Sequence, residues 1–519
     1  MNAAPPRPAK TTAPPNIALN RPAGASSACY GCTGNPVPTK AVDGLTTTAW
    51  VASGPSFPQW LVVDLGAITT LSTVTQAFAN KDTWSFKIEG SNDNVGVQDA
   101  GWTVLVDHTT GVTGQTFTDN VTGAFRYVRV YITAAGANWA SSSEFAITGT
   151  KLVQPRNLVP PPVAASTGNY LVGAQMCNLW SNTVMWGSIK QKLPTLHPLL
   201  GYYDEAYDVA TDWQINMAVS HGISFFQSCW YREIGNAGHS PLMATYDQFT
   251  NSIANSAQYR SKIQWSILWV NDKSLVAEGA SSEADFLTNV APFWIANYFS
   301  RPNYLKIENK PVVSIYNPPN FISDLGGIAS ATDAISQFRK LCVQAGFAGV
   351  LILADNHQNT TLTNAAAAAV GFDDVFAYHI PTFTGLMPST SPTGTQILSE
   401  QQTTWTNWQK FSKLPSLVSA SMGWNGAPWG EGTVYWRLAP SDFTALLQNA
   451  KAAMAQRTGL ASQVLMLDNW NEFGEGHYIS PTTEYGYQYL DAITNVFSPS
   501  AHPPDLTPDT SKVPQIALP

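Results

Sequence analysis

Between residues 170 and 470 eight short apolar runs alternate with longer polar stretches, and no other feature of the chain restricts its fold so strongly. The runs are "YLVGAQMCNL" (170–179), "ISFFQSCWY" (223–231), "KIQWSILWVN" (262–271), "PVVSIYN" (311–317), "GVLILADN" (349–356), "DVFAYHI" (374–380), "SLVSASMGWN" (416–425) and "QVLMLDNW" (463–470). Helical spacing fills most of the intervals: 208–221, where Ala210, Trp213, Met217 and His221 share a face, then 283–299, 332–345, 396–412 and 441–456. A strand covered on both faces reads as continuously apolar, and strand–helix repetition builds a parallel sheet. Eight repeats predict a (β/α)8 barrel over 169–498. No glycine-rich phosphate loop follows any run, which argues against an open nucleotide-binding sheet.

Residues 16–152 follow a different period. "QWLVVDLG", "LSTVTQAF", "WSFKIEGS", "WTVLVD", "FRYVRVYIT" and "SEFAITGT" are short strands set apart by turn residues, without helical spacing, and predict an antiparallel β-sandwich. The chain is therefore expected to be multidomain: a disordered Pro/Thr-rich lead (1–15), the sandwich (16–152), a proline-stiffened linker (153–168), the barrel (169–498) and a Pro-rich tail (499–519).

Charged residues make up 12% of the 519, about half the usual share, while Asn, Ser, Thr, Trp and Tyr are plentiful. That balance suits a secreted carbohydrate-handling protein. With a net charge of −8 and no Lys/Arg cluster, phosphate neutralisation has no basis and a nucleic-acid partner is not expected. No run reaches the roughly 18–20 apolar residues of a membrane span, and the first residues lack a hydrophobic signal core. The expected location is secreted, periplasmic or cell-surface with a leader removed, the alternative being cytoplasmic. Oligomeric state is not legible. Of five cysteines only Cys29 and Cys32 are close, reading either as a local loop disulfide or as two idle thiols.

In a barrel the C-terminal ends of the strands emerge on one face. Trp230, Tyr231, Asn271, Tyr316, Asp355, Tyr378, His379, Trp424, Asn471 and Glu472 would ring a pocket there. Any single Asn or Asp reads equally well as a helix cap; the aromatic residues are better explained as platforms for sugar rings. "LDNWNEFGEGHYISP" (467–481) follows the eighth run and carries Glu472 and Glu475, with His477 and Tyr478 beyond them. Paired carboxyl groups cleave glycosidic bonds, one protonating the leaving oxygen while the other attacks or acts as base. A turn through Gly474 and Gly476 would bring the two together. In "HPLLGYYDEAYD" (197–208), Tyr203, Asp204 and Glu205 form either a substrate wall or the acidic start of the helix that follows. His379 and His477 read as hydrogen-bonding residues rather than metal ligands, and His221 as structural. No catalytic cofactor is implied.

The segment 169–498 resembles the glycoside hydrolase family 99-like, or WbsX-like, barrels through "YLVGAQMCNLW", "HPLLGYYDE", "DWQINMAVSHGISFFQSCWY" and "WNEFGEGHYISPT". The resemblance implies retaining cleavage of α-linked, mannose- or rhamnose-like glycosidic bonds in a polysaccharide or glycan. Glu472 would be the base that deprotonates the sugar's own 2-hydroxyl, and Glu475 the general acid/base. Between them stand Phe473 and Gly474, where the family 99 enzymes carry Trp-His, so the substrate is left open. The WbsX-like relatives are also described as glycosyltransferases of surface-polysaccharide assembly. That is one alternative; a barrel that only binds carbohydrate is another. The closing motif is also similar to that of the family 71 α-1,3-glucanases.

Residues 16–152 resemble the discoidin, or F5/8 type C, jelly roll, known among carbohydrate-binding modules as family 32, through "NIALNRPAGAS", "AVDGLTTTAW", "PQWLVVDLG", "WSFKIEGSND", "FRYVRVYIT" and "SSEFAITGT". The resemblance implies a structural Ca2+ held by Asp43, Thr48, Glu144 and the carbonyls near Lys40 and Ala41, oxygen ligands of the kind calcium takes. It also implies sugar contacts at the loop tips from Asn80, Lys81, Trp84 and Trp139; Trp84 and Trp139 read equally as core, while Trp50, Trp60 and Arg126 are expected in the core.

Overall fold

The computed structural model describes residues 15–19, 21, 23–29, 32–33, 36–92, 101–151, 157–181, 183–232, 237–238, 241, 248–275, 277–357, 364–380, 392–431, 435–516 and 518. The expected disordered lead lies outside them except for its last residue. Two units divide the chain, Met1–Val153 and Gln154–Pro519.

The first unit is antiparallel. Three of the expected strands run on as one extended segment, Gln59–Ser91, whose register breaks after Asp64 and Thr70 let residues 59–64 and 84–91 flank the same partner, Ala124–Ala135. Val112–Asn120 and Glu144–Lys151 pair with its middle. Leu61, Val63, Phe78, Trp84, Phe86, Val128, Val130 and Phe145 fill the core. Trp50 and Arg126 are buried, Trp60 only partly. A guanidinium can be buried when paired, and Asp64 receives Arg126 in a fork at 2.8 and 2.9 Å. Cys29 and Cys32 form a disulfide.

The second unit contains all eight expected strands: β1 (Leu171–Met176), β2 (Phe225–Trp230), β3 (Gln264–Trp269), β4 (Lys310–Ile315), β5 (Leu351–Asp355), β6 (Asp374–Phe376), β7 (Val418–Ser421) and β8 (Val464–Asp468). They pair in parallel in the order 6-5-4-3-2-1-8-7. The parallel bridge Val375–Ser416 closes the ring, with Leu417 N donating to Val375 O at 2.8 Å. Around it lie α1 (Asp208–Ser220), α2 (Ile328–Gln344), α3 (Gly394–Phe411), α4 (Pro440–Met454) and α5 (Gln488–Phe497). The stretch from Glu283 to Phe299 is helical with π-turns at Phe286–Val290 and Ile295–Phe299.

Bonds between strands that are not neighbours identify the lumen. Gln175 on β1 donates to Ala377 O beyond β6 at 2.8 Å, and Gln227 on β2 donates to Ser314 on β4 at 2.6 Å. Because strand side chains alternate, Phe225, Cys229 and Tyr231 point inward with Gln227, and Phe226 and Trp230 point out to the helices. Residues 157–168, expected as linker, lie against this unit: Val159 is buried and its carbonyl accepts from the Tyr259 hydroxyl at 2.7 Å. The tail returns as well, Asp204 N donating to Pro514 O at 3.0 Å and Ile516 N to Tyr202 O at 2.8 Å. Among the described residues no helix is long and apolar enough to cross a membrane.

Candidate active site

Directly after β8 the chain makes a hairpin in which Asn471–Glu472 pairs with His477–Tyr478. Opposed residues share a face, so Glu472 and His477 project together and Asn471 and Tyr478 project the other way. The turn between them needs its glycines. A Cβ on Gly474 would lie 1.9 Å from Cζ2 of Trp429, and Gly476, at φ +71°, has Asn425 Cβ 2.6 Å from where its own would stand. Asn425 N donates to Glu475 O at 2.5 Å, fastening the tip of the turn to the loop after β7.

Glu472 is buried, and its Oε2 accepts from the Tyr378 hydroxyl at 2.8 Å. Asn469 Nδ2 donates to the same hydroxyl at 3.1 Å, so Tyr378 is oriented toward the carboxylate. Oε1 has no hydrogen-bond partner. Burial and the neighbouring Glu475 charge raise the Glu472 carboxyl to about 7, against the opposing pull of His477, the Cys177 thiol and Tyr378.

His477 stands between two carboxylates. Its Nδ1 bonds Asp468 Oδ1, and its Nε2 lies 2.7 Å from Glu475 Oε2. Both ring nitrogens can donate only in the imidazolium. Burial opposes that charge, but Asp468 and Glu475 outweigh burial and raise His477 to about 10. Asp468, likewise fully buried, is held at about 2 by His477 and His379, whose Nδ1 bonds Asp468 Oδ2 at 2.8 Å; Ser421 Oγ reaches the same oxygen. Trp424 covers the group, its ring centroid 4.6 Å from that of His379 and 5.6 Å from that of His477. His379, Asp468 and His477 bring possible ligand atoms within 4.8 Å of one another, but Asp468 is already engaged by both imidazoles and Ser421. His379 Nε2 is left without a hydrogen-bond partner.

The structure separates the other expected residues. Tyr316 packs edge-on against Tyr378 with centroids 5.5 Å apart, and its hydroxyl lies 3.4 Å from His357 Nε2. Asp355 fixes that corner, bonding His357 Nδ1 at 2.5 Å and accepting from Tyr378 N at 3.0 Å. Tyr231 faces the lumen. Asn471, Tyr203 and Glu205 form a layer behind the hairpin: Asn471 Oδ1 accepts from Cys177 N at 2.9 Å, and its Nδ2 reaches Tyr203 Oη at 3.2 Å and Glu205 Oε1 at 3.4 Å. Asp204 accepts from Ala206 N at 2.8 Å, and Asn271 clamps the loop after β4 by bonding Asn317 N and O, each at 2.8 Å. These residues hold loops in place.

Two further residues expected to contact sugar point away from the lumen. Trp230 points outward, its Nε1 bonded to Tyr298 Oη at 3.0 Å amid Trp269 and Trp294. Tyr478, on the far face of the hairpin, packs beneath the Arg437 guanidinium, 3.9 Å from its centroid. Asp468, His357 and Trp429 belong to the site as well, although their spacing in the sequence does not point to it. For Asp468 there was a signal, a lone carboxylate inside an apolar strand, which cannot be buried without partners.

In the first unit, Asn80 Nδ2 bonds Asn138 Oδ1 at 3.2 Å, and Asp82 accepts from Ala137 N and Asn138 N, each at 2.9 Å. Asn80, Lys81 and Trp139 are exposed on these joined tips. Trp84 is not; it is fully buried and stacked on Phe78 at 3.9 Å, which overturns its place among the sugar contacts. Of the residues expected to hold calcium, Lys40, Asp43, Thr48 and Glu144 lie close together. Thr48 Oγ1 lies 2.9 and 2.8 Å from the Asp43 oxygens and 3.5 Å from Lys40 O, and Glu144 Oε2 accepts from Gly44 N at 3.1 Å. Burial raises the Glu144 carboxyl, and Asp43 adds to the rise, as expected of two facing carboxylates. This oxygen-rich, anionic cluster fits a hard cation.

Residues 187–493 match the family model described as Glycosyltransferase WbsX, and residues 22–145 match that of the F5/8 type C domain. The uncharacterized protein WxcX of Xanthomonas campestris pv. campestris is 21% identical over 342 residues, 59% of this chain and 46% of that protein. The chain thus spans about half the length of the curated relatives it matches. Among solved structures, chitosan-binding module 1 of a chitosanase/glucanase from Paenibacillus sp. IK-5 is 32% identical over 26% of this chain and 98% of that one, with a TM-score of 0.23. The family 99 endo-α-mannosidase of Bacteroides thetaiotaomicron is 13% identical over 61% of this chain and 88% of that one, with a TM-score of 0.42.

Proposed function

The chain belongs to the WbsX family, and from that premise we propose that its barrel is a glycoside hydrolase that cleaves α-linked, mannose- or rhamnose-like bonds of a glycan with retention. One observation carries the reading: two carboxylates three residues apart on one turn are kept in opposite proton environments. Glu472, at about 7 and with Oε1 free of partners, is matched to take a proton near neutrality. Glu475 accepts from an imidazolium that Asp468 keeps charged, so its side of the site delivers one.

In the proposed sequence Glu472 removes the proton of the sugar 2-hydroxyl, O2 bonds to C1, and the C1 bond to the leaving oxygen breaks. Glu475 protonates that oxygen, drawing on His477. Water then opens the C1–O2 bond, adding to C1 while its proton returns to Glu475 and O2 recovers one from Glu472. Two displacements at C1 retain its configuration. Tyr378 positions Glu472, and Trp424 with Tyr316 offers apolar faces to a sugar ring. Incubation with α-mannan, α-rhamnan and α-glucan tests this reading: new reducing ends from the wild type and none from Glu475→Gln support it, and no cleavage of any of the three by the wild type overturns it. The description of the family model favours transfer as a second reading, in which the glycosyl unit goes to a sugar hydroxyl instead of water. Products longer than the substrate, with no new reducing ends, would select it.

The first unit is proposed to bind glycan through Asn80, Lys81 and Trp139 and to hold Ca2+ at Asp43, Thr48, Glu144 and the Lys40 and Ala41 carbonyls. Tethering a weak binder to a catalyst raises local substrate concentration, which suits a secreted or surface enzyme. EDTA should lower the melting temperature of this unit and Ca2+ restore it; an EDTA-insensitive unit contradicts the calcium site.

A further inference from the structure

We propose that His221, Asp491 and Asp505 form a binding site for a divalent transition-metal ion, with Zn2+ the natural probe, and that the ion staples the returning tail to the barrel.

His221 follows the last residue of α1 and is 1% exposed. Its Nδ1 lies 2.7 Å from Met217 O, an acceptor, so Nδ1 carries the proton and Nε2 of the neutral ring is a lone pair. That lone pair has no hydrogen-bond partner. It faces two carboxylates, Asp491 on α5, with Oδ1 at 3.8 Å, and Asp505 on the tail. The three ligand atoms lie within 4.8 Å of one another.

Three possible ligand atoms, one imidazole nitrogen and two carboxylate oxygens, thus meet. Among the described residues no lysine or arginine ion pair or hydrogen bond reaches either carboxylate. Tyr487, stacked on the imidazole with centroids 5.1 Å apart, gives its hydroxyl proton to Leu506 O at 2.6 Å instead. A divalent ion satisfies all three. Ligands about 2.0–2.2 Å from a tetrahedral ion stand roughly 3.4 Å apart, so the 3.8 Å pair need close by only a few tenths of an ångström, and the exposed Asp505 can swing to close the third side. One imidazole and two carboxylates suit Zn2+ and its neighbours better than Ca2+ or Mg2+.

Asp505 lies between the end of α5 and the segment that pairs with the loop holding Tyr203 and Glu205. An ion there would hold the tail at its midpoint.

The test is calorimetric titration of Zn2+ into the full chain after chelator treatment, for wild type, Asp505→Asn and His221→Gln. Asp505 is exposed, so Asp505→Asn preserves the fold and decides the outcome. The proposal expects one Zn2+ per chain, affinity at least tenfold weaker in Asp505→Asn, and Zn2+-dependent protection of the tail from protease in the wild type only. No Zn2+ binding by the wild type, or less than a tenfold loss in Asp505→Asn, overturns it; the latter result would place the ion at His379, Asp468 and His477 or elsewhere.

Discussion

The Tyr378 hydroxyl donates to Glu472 Oε2 at 2.8 Å across β7, the tyrosine standing two residues beyond β6 and the glutamate in the hairpin after β8. A hydrogen bond to the charged form of an acid lowers its pKa. Tyr378→Phe should therefore push the Glu472 carboxyl higher still. The acid limb of the kcat/KM profile should move to higher pH, and the rate at neutrality should fall roughly ten- to hundredfold, about 1.5–3 kcal/mol for a bond to a charged group. An unmoved acid limb would mean that Glu472 does not set it.

Glu472 titrates at about 7 when folded against an ordinary 4.5. A group with a raised folded pKa contributes stability that is fully present below its unfolded value and lost as pH rises through the folded one. The loss here runs from about pH 4.5 to 7 and amounts to at most about 3 kcal/mol. Glu472→Gln, inactive on this account, should melt higher than wild type at pH 8 and no higher at pH 4. Equal melting at both pH values would show that the carboxylate is not strained by burial.

Asp468 and His477 shift in opposite directions. His477, raised to about 10, contributes stability fully present below its ordinary 6.5 and lost as pH climbs through 10; Asp468, held at about 2, contributes stability present above 3.8 and lost as pH drops through 2. Both act in full between about pH 4 and 6.5. Asp468→Asn should cost most in that window, on the order of 3–5 kcal/mol for breaking a buried pair, and less as pH approaches 10. Denaturant unfolding at pH 5.5 and 9.5 measures the difference.

Gly474 has no room for a methyl group beside Trp429. Gly474→Ala should displace the turn and reduce kcat at least tenfold, and adding Trp429→Ala should restore part of it. Failure of the double variant to recover anything would place the defect in backbone conformation.

The barrel and its carboxylate pair were legible because both depend on local pattern. Eight apolar runs leave few sheets to build, and the glycines around Glu475 fit no helix. What sequence left undetermined was mostly which way side chains point. Trp230 ends β2 and Tyr231 follows it directly, so only one can face the lumen, and the alternation through Phe225 and Cys229 gives that place to Tyr231. Asn471 and Glu472, like His477 and Tyr478, are split by the same rule. Trp84 was ambiguous because an aromatic residue in a strand next to a loop serves core and surface equally well. His477 looked like one more pocket residue; its charge depends on Asp468, nine residues away in the chain, and no local signal joins the two.

If Glu472 and Glu475 together cleave an α-glycosidic bond with retention, the first-formed product keeps the α configuration. Proton NMR of the first-formed product, recorded before mutarotation on whichever α-glycan the wild type cleaves, tests it most directly. The α-anomer should appear first, and both Glu472→Gln and Glu475→Gln should lose at least about a thousandfold in rate, on the order of 4 kcal/mol each. A β-anomer first, or near-wild-type rates in either glutamine variant, would contradict it.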